Sequence, residues 1–303
     1  MSVMRPMLNA WLRWTEKPHL RRASSIEKVR RSFEAKSKLF FHAPRGASFA
    51  DDRLGGVPVH WAWALGVGRE DGPVLLYVHG GAFVFGSPRT HRAMLVRLSA
   101  EAKAPACLVQ YRLAPENVFP AAFDDCMAVY KSVMHRRGGV VLGGDSAGGA
   151  LVLSLLAEIT RAGLPQPLGT FAFSPLTDAT FSGESVSLQA EAEVVLPAER
   201  AEEMTLAYLD GAEAKDPRVS PLYGAFSGAA PVWICAGDTE ILLDDTRRMA
   251  AHLRAAGVDV TEIIEHDLPH VWPIFHNLLP EGRATLRDLG AWIRSLSSST
   301  NGS

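Results

Sequence analysis

Apolar residues recur along this chain with two different periods, and the change of period divides it. Over the first 45 residues the spacing is helical. In "SSIEKVRRSFEAKSKLFF", Ile26, Val29, Phe33 and Phe40 share one stripe, with basic side chains on the other faces. Ser24 and Glu27 stand at capping-box spacing ahead of it, which predicts the helix start. From about residue 54 short β-branched runs take over: 57–65, 74–78, 106–110, 140–143, 170–173, 231–236 and 260–264. Helical stretches at 91–103, 121–136, 147–162, 244–256 and 283–296 lie between many of them. This alternation predicts an α/β fold, a mostly parallel central sheet with helices on both faces. A polar, helix-prone insert at about 185–215 interrupts the rhythm, and the tail "SSSTNGS" is expected to fray.

Composition narrows the class. Apolar residues make up 47% of the 303 and charged residues 21%, which is ordinary globular usage. A net charge of −2 gives no overall attraction to nucleic acid or to a membrane. The charge is unevenly spread, however: residues 1–46 carry net +8 and the remainder net −10. The basic helix could therefore lie on an acidic membrane surface or pack over the rest of the fold with a solvated face. No uncharged apolar run reaches the length of a membrane span, and the first 22 residues lack a secretory apolar core. Three scattered cysteines, Cys107, Cys126 and Cys235, suit neither a disulfide framework nor a zinc site, and a cytoplasmic location is expected. No metal or cofactor is expected.

In open α/β sheets, ligands sit where strands give way to loops. The run "VVLGGDSAGG" ends there, and Gly144-Asp145-Ser146-Ala147-Gly148 fits G-x-S-x-G between a strand and a helix. A tight turn of this kind lifts a serine hydroxyl above the sheet, making Ser146 the candidate nucleophile. A serine needs a base, itself oriented by an acid. His270 lies just after "VTEII" where the base belongs; His266 is four residues earlier, and His276 falls in the next segment. After "PVWICA", Asp238 and Glu240 are both able to serve as the acid, while Asp244 and Asp245 look like the cap of the following helix. The strand 74–78 runs into His79-Gly80-Gly81-Ala82, a loop of the kind that offers backbone N–H groups to an oxyanion, and Ala147 offers another. His79 is expected to fix that loop rather than act as a base.

Taken together, "HGGAFVFGS", "YRLAPENVFPAAFDD", "GDSAGG", "SPLYG", "GDTEILLDD" and "LPHVW", in this order over about residues 74–275, resemble the hormone-sensitive-lipase-like branch of the α/β-hydrolases, the bacterial family IV esterases. The resemblance implies an α/β-hydrolase fold with a helical cap. Residues 1–48 and the insert near 185–215 would form the cap, on a catalytic domain spanning 49–303. It favours Glu240 over Asp238 as the acid, giving a triad of Ser146, Glu240 and His270. It places the oxyanion hole on the loop Gly80, Gly81 and Ala82 with Ala147, the last two glycine positions of H-G-G-G being Gly81 and Ala82. Ala82 departs from that pattern, and its methyl group bears on the acyl side of the pocket. Tyr111, Arg112 and Glu116 are expected to form a buried cluster supporting the loop. Trp11, Trp14, Phe40 and Phe41 are expected either to line the entrance or to anchor the cap.

The expected function is a serine carboxylesterase for short- to medium-chain acyl esters, acting through an acyl-enzyme. A deacetylase or amidase for a dedicated metabolite, and a non-catalytic small-molecule receptor on the same fold, are the alternatives. The expected partner is a small ester, with no nucleic acid and no membrane span; an edge strand near 258–264 offers a place for two sheets to pair in a homodimer.

Overall fold

The computed structural model describes residues 2–299. Eight strands form one sheet: β1 (Ser48–Leu54), β2 (Val57–Trp63), β3 (Val74–Val78), β4 (Ala106–Val109), β5 (Val140–Asp145), β6 (Gly169–Phe173), β7 (Val232–Gly237) and β8 (Val260–Glu265). Their order across the sheet is β1-β2-β4-β3-β5-β6-β7-β8. From β4 to β8 every pairing is parallel, and β1 and β2 add an antiparallel edge. Strands β3, β5, β6 and β7 are buried along their whole length, which is why they read as unbroken apolar runs and not as alternating ones. Their connecting helices cover the two faces with separate apolar clusters. One gathers around Leu76, Leu142, Leu151 and Tyr130, the other around Leu75, Tyr77, Phe171 and Trp272.

β1 was not expected. Its sequence, "SFADDRL", exposes most of its side chains and carries three charges, so it shows no apolar signal. What makes it a strand is the turn that follows: Gly55 and Gly56 both take positive φ (57° and 82°) between paired Leu54 and Val57, a two-residue hairpin. A charged, twisted edge also discourages further sheet addition.

The N-terminal segment is helical over Met4–Arg22, with a wider π turn at Leu12–Glu16, and again over Ile26–Phe40. Ser25 rather than Ser24 caps the second helix, accepting a hydrogen bond from the Lys28 N–H. Within the insert, helices form at Ser185–Leu188 and Ala198–Leu209. The final helix, Pro280–Ser299, takes in the start of the tail expected to fray; residues 300–303 lie outside the described residues.

Candidate active site

The turn at the end of β5 explains the four glycines around Ser146. Ser146 itself sits at φ 51°, in the left-handed region, and opens the helix Ser146–Arg161. A methyl group added at Gly144 would stand 2.4 Å from the Gly148 carbonyl oxygen, and one at Gly148 would stand 2.1 Å from that of Val78. Strand, helix and β3 can approach this closely only without Cβ atoms. The Ala147 N–H is among the first amides of that helix, which have no partner within it.

The loop after β3 faces this turn. Val84 and Phe85 donate their N–H groups to the Gly81 carbonyl, curling the loop, with Gly81, Ala82 and Phe83 all at positive φ. The Gly80 N–H donates to Asp145 Oδ1 (3.0 Å), so it is already committed. This corrects the expectation that it would help form the oxyanion hole. Gly81 and Ala82 have no such partner among the described residues. His79 is buried, its ring nitrogen 2.8 Å from the Gly80 carbonyl and its own carbonyl accepting the Tyr111 hydroxyl. Burial and the neighbouring His91 press its pKa down to about 3, which suits a loop support and not a base.

At the other wall, β7 and β8 deliver two histidine–carboxylate pairs. His270 Nδ1 lies 2.7 Å from Glu240 Oε2, and His266 Nδ1 lies 2.7 Å from Asp238 Oδ2. The first pair is buried, at 6% and 1% side-chain exposure, and His270 lines the same cavity as Ser146. The second is at 72% and 34% and does not line that cavity. Glu240 is further fixed through Oε1, which accepts from Ser174 Oγ (2.8 Å) and the Gly237 N–H (2.6 Å). Ser174 in turn accepts the Val271 N–H, tying Glu240 to the loop that carries His270. Burial works against a charged imidazole, but the hydrogen bond and charge of Glu240, with Glu193 and Asp145 behind it, hold the His270 pKa above the ordinary value.

The structure brings Gly80, Gly81, Ala82, Ser146, Ala147 and His270 to one cavity of about 150 Å³, with Glu240 behind the histidine. Trp11, Phe40 and Phe41 also line it, as do Val29 and Phe33 on the basic helix and Met204 and Thr205 on the insert helix. The helix therefore turns its apolar stripe to the cavity. Trp14 is 79% exposed and takes no part. Two further expectations change. Asp244 and Asp245 do not cap their own helix; Asp244 accepts the Ser185 N–H, and buried Asp245 accepts those of Thr177 and Asp178, bracing the segment after β6. Tyr111 does support the oxyanion-side loop, but Arg112 pairs with Asp125 and Glu116 with Arg30, both partly in solvent, so the buried cluster of three does not form.

Several residues here escaped the sequence reading. Asp145 is the unspecified position of G-x-S-x-G, yet it accepts from Tyr77 (2.6 Å) and Gly80 and faces His91 Nε2 at 3.4 Å. Burial alone would raise its pKa; His91 and the hydrogen bonds from His91 and Tyr77 hold it below the usual range. It thus joins the serine turn to the facing loop. Its position inside the motif was the available signal. Ser174 and Glu193 gave none, since neither sits in a recognisable pattern. Among the described residues, Glu193, Glu240 and His270 are the one group able to share a metal ion, with donor atoms within 4.8 Å of one another. Both carboxylates already accept N–H or hydroxyl donors, so the group reads as a hydrogen-bonded assembly around the imidazole.

Comparison with known proteins agrees with the fold. Residues 75–274 match a family described by the alpha/beta hydrolase fold. An acetyl-hydrolase of Streptomyces hygroscopicus is 36% identical over 230 residues, covering 75% of this chain and 77% of its own. An esterase of Acinetobacter venetianus is 31% identical over 74% of this chain and 75% of its own. The crystal structure of an esterase from the bacterial hormone-sensitive lipase family superimposes with a TM-score of 0.91 at 32% identity, over 98% of this chain and 99% of that one.

Proposed function

The chain belongs to the α/β-hydrolase-fold family, in its hormone-sensitive-lipase-like esterase branch, and on that premise we propose that Ser146, His270 and Glu240 are its catalytic triad. The protein is a carboxylic ester hydrolase acting on small esters. The observation that carries the residue assignment is the His270–Glu240 contact of 2.7 Å at the wall of the cavity that also holds Ser146. With Nδ1 turned to Glu240, the other ring nitrogen, Nε2, is left for the serine.

In the proposed reaction, His270 takes the hydroxyl proton as Ser146 Oγ bonds to the ester carbonyl carbon. The carbonyl oxygen becomes an oxyanion held by the N–H groups of Gly81, Ala82 and Ala147. The C–O bond to the alcohol then breaks, His270 returns the proton to the leaving oxygen, and an acyl-enzyme remains. Water, deprotonated by the same histidine, attacks that ester and releases the acid and the free serine. Glu240 holds the ring and stabilises the imidazolium.

Short acyl groups fit best. A cavity of about 150 Å³ is the size that accepts one benzene-sized molecule. The Streptomyces relative's name, acetyl-hydrolase, favours the same end of the range and keeps deacetylation of a dedicated metabolite as the second reading. Residues 1–48 and about 185–215 serve as the cap over a catalytic domain of 49–303, a reading supported by residues of both segments lining the cavity that holds Ser146. Among the described residues no helix is long and apolar enough to cross a membrane. Three buried, unpaired cysteines support a cytoplasmic setting, and the half-buried edge β8 supports pairing of two copies.

The test is hydrolysis of p-nitrophenyl esters from acetate to palmitate by wild type and Ser146→Ala. Turnover should be greatest at two to six acyl carbons and fall by about 10⁴-fold or more in the variant. Equal turnover by the variant would remove the assignment of Ser146.

A further inference from the structure

The net +8 of the first 46 residues has a structural use, and following it leads to a residue that the triad reading leaves out. Several of these cations reach main-chain carbonyls around the site. Arg30 holds the carbonyls of Val84 and Ala114, on the oxyanion-side loop and its neighbour. Arg5 holds the carbonyl of His266. Arg13 holds those of Glu191 and Ala192 at 2.7 and 3.1 Å. Lys17, buried, donates to Ala190 and Glu193, both at 2.7 Å. Three of these four contacts by Arg13 and Lys17 flank a single turn of the insert, and the fourth is on Glu193 itself.

Glu193 is 1% exposed. Its Oε1 accepts the Val195 N–H at 2.8 Å, and its Oε2 faces the N–H of Ile241, the residue after Glu240, at 3.3 Å. One of its carboxyl oxygens lies within 4.8 Å of a Glu240 oxygen and of a ring nitrogen of His270. A second carboxyl beside the imidazole is not needed to build a triad, and its burial next to Glu240 is costly on its own. We propose that Glu193 is a positioning residue of the catalytic centre, carried on the cap and held there by Arg13 and Lys17, which keeps the Glu240–His270 pair in register and supplies a second negative charge to the imidazole. The N-terminal segment then does more than roof the pocket: it completes the electrostatics of the base.

The groups facing the Glu193 carboxyl are His270, which favours its charge, and Glu240, which opposes it; Lys17 faces it from the N-terminal helix. Asp145 acts on His270 from the opposite wall. Burial first, and then the charge of Glu240, raise the Glu193 pKa above the ordinary carboxylate value, and His270 works against that rise.

The inference rests on His270 and Glu240 being the base and its acid. The experiment is the pH dependence of kcat/KM for p-nitrophenyl butyrate with Glu193→Gln, Glu193→Asp and Lys17→Met, alongside Ser146→Ala. Glu193→Gln keeps the shape and an acceptor oxygen but removes the charge. The acid limb should move to lower pH by about one unit, as loss of an opposite charge at this distance requires, while kcat falls roughly tenfold with KM little changed. Glu193→Asp should restore part of the shift, and Lys17→Met should move the limb in the same direction by less. A Glu193→Gln enzyme that is folded by circular dichroism and has the wild-type pH limb would overturn the inference. If Ser146→Ala stays active, the triad reading fails first, and the two failures are told apart.

Discussion

Two histidine–carboxylate pairs leave the same two strands, with the same 2.7 Å between nitrogen and oxygen, and only one of them reaches the cavity that holds Ser146. Glu240–His270 is buried against the cavity, whereas Asp238–His266 stands in solvent. In the first, Glu240 Oε1 accepts from Ser174 and Gly237, and Ser174 accepts the N–H of Val271, the residue after the histidine. In the second, Asp238 instead accepts the Asp267 N–H, and Asn9 and Arg5 hold the Asp267 and His266 carbonyls, so the pair fastens the N-terminal helix to the β8 loop. A histidine–carboxylate pair is suited to machinery or to fastening according to what surrounds it. Spacing does not separate them. Low dielectric and fixed partners do, since an exposed ion pair is screened and contributes little.

The widest gap between the pairs should open at the histidines. His270→Ala is expected to lower kcat/KM for p-nitrophenyl butyrate by about 10⁴-fold or more, and His266→Ala by less than about threefold. Comparable losses in the two variants would erase the distinction drawn here.

A smaller effect sharpens it through pH. The base must be neutral to accept the serine proton, so kcat/KM rises as pH climbs through the His270 pKa. Because Glu240 holds that pKa above the ordinary imidazole value, the acid limb should centre above about pH 6.5. A limb centred well below 6 would mean that burial outweighs the carboxylates.

The smallest effect concerns a carboxylate of the same segment that has no histidine. Asp245 is buried, with Oδ2 unpartnered among the described residues, and its pKa is pushed up to about 7 by burial. A folded-state pKa above the unfolded one means that the unfolded chain holds fewer protons, so stability falls as pH rises from about 4 to 7. Asp245→Asn should relieve this by on the order of 1–3 kcal/mol above pH 7 and by little near pH 4. Denaturant melts at the two pH values should show the gap widening; a constant gap would count against ionisation as its cause.

How much of this was legible in the chain follows from which interactions are local. Ser146 was, because a strand, a glycine turn and a helix are contiguous in sequence. The buried strands were, because both of their faces are apolar. β1 was not, since its pairing with β2 is set by Gly55-Gly56 and its own side chains are polar. Glu240 over Asp238 came from resemblance alone; the residues themselves left both open, because burial on one side of a loop is a tertiary property. Glu193 lay beyond reach for the same reason: its neighbours Ile241 and His270 are distant in sequence, and the cations that hold its turn come from the first 17 residues.

The most direct test of the central claim is kcat/KM for p-nitrophenyl butyrate in Glu240→Gln and Asp238→Asn, two isosteric changes that each remove one charge. The account expects a loss of about 10³–10⁴-fold in Glu240→Gln and less than about threefold in Asp238→Asn. A greater loss in Asp238→Asn than in Glu240→Gln would contradict it.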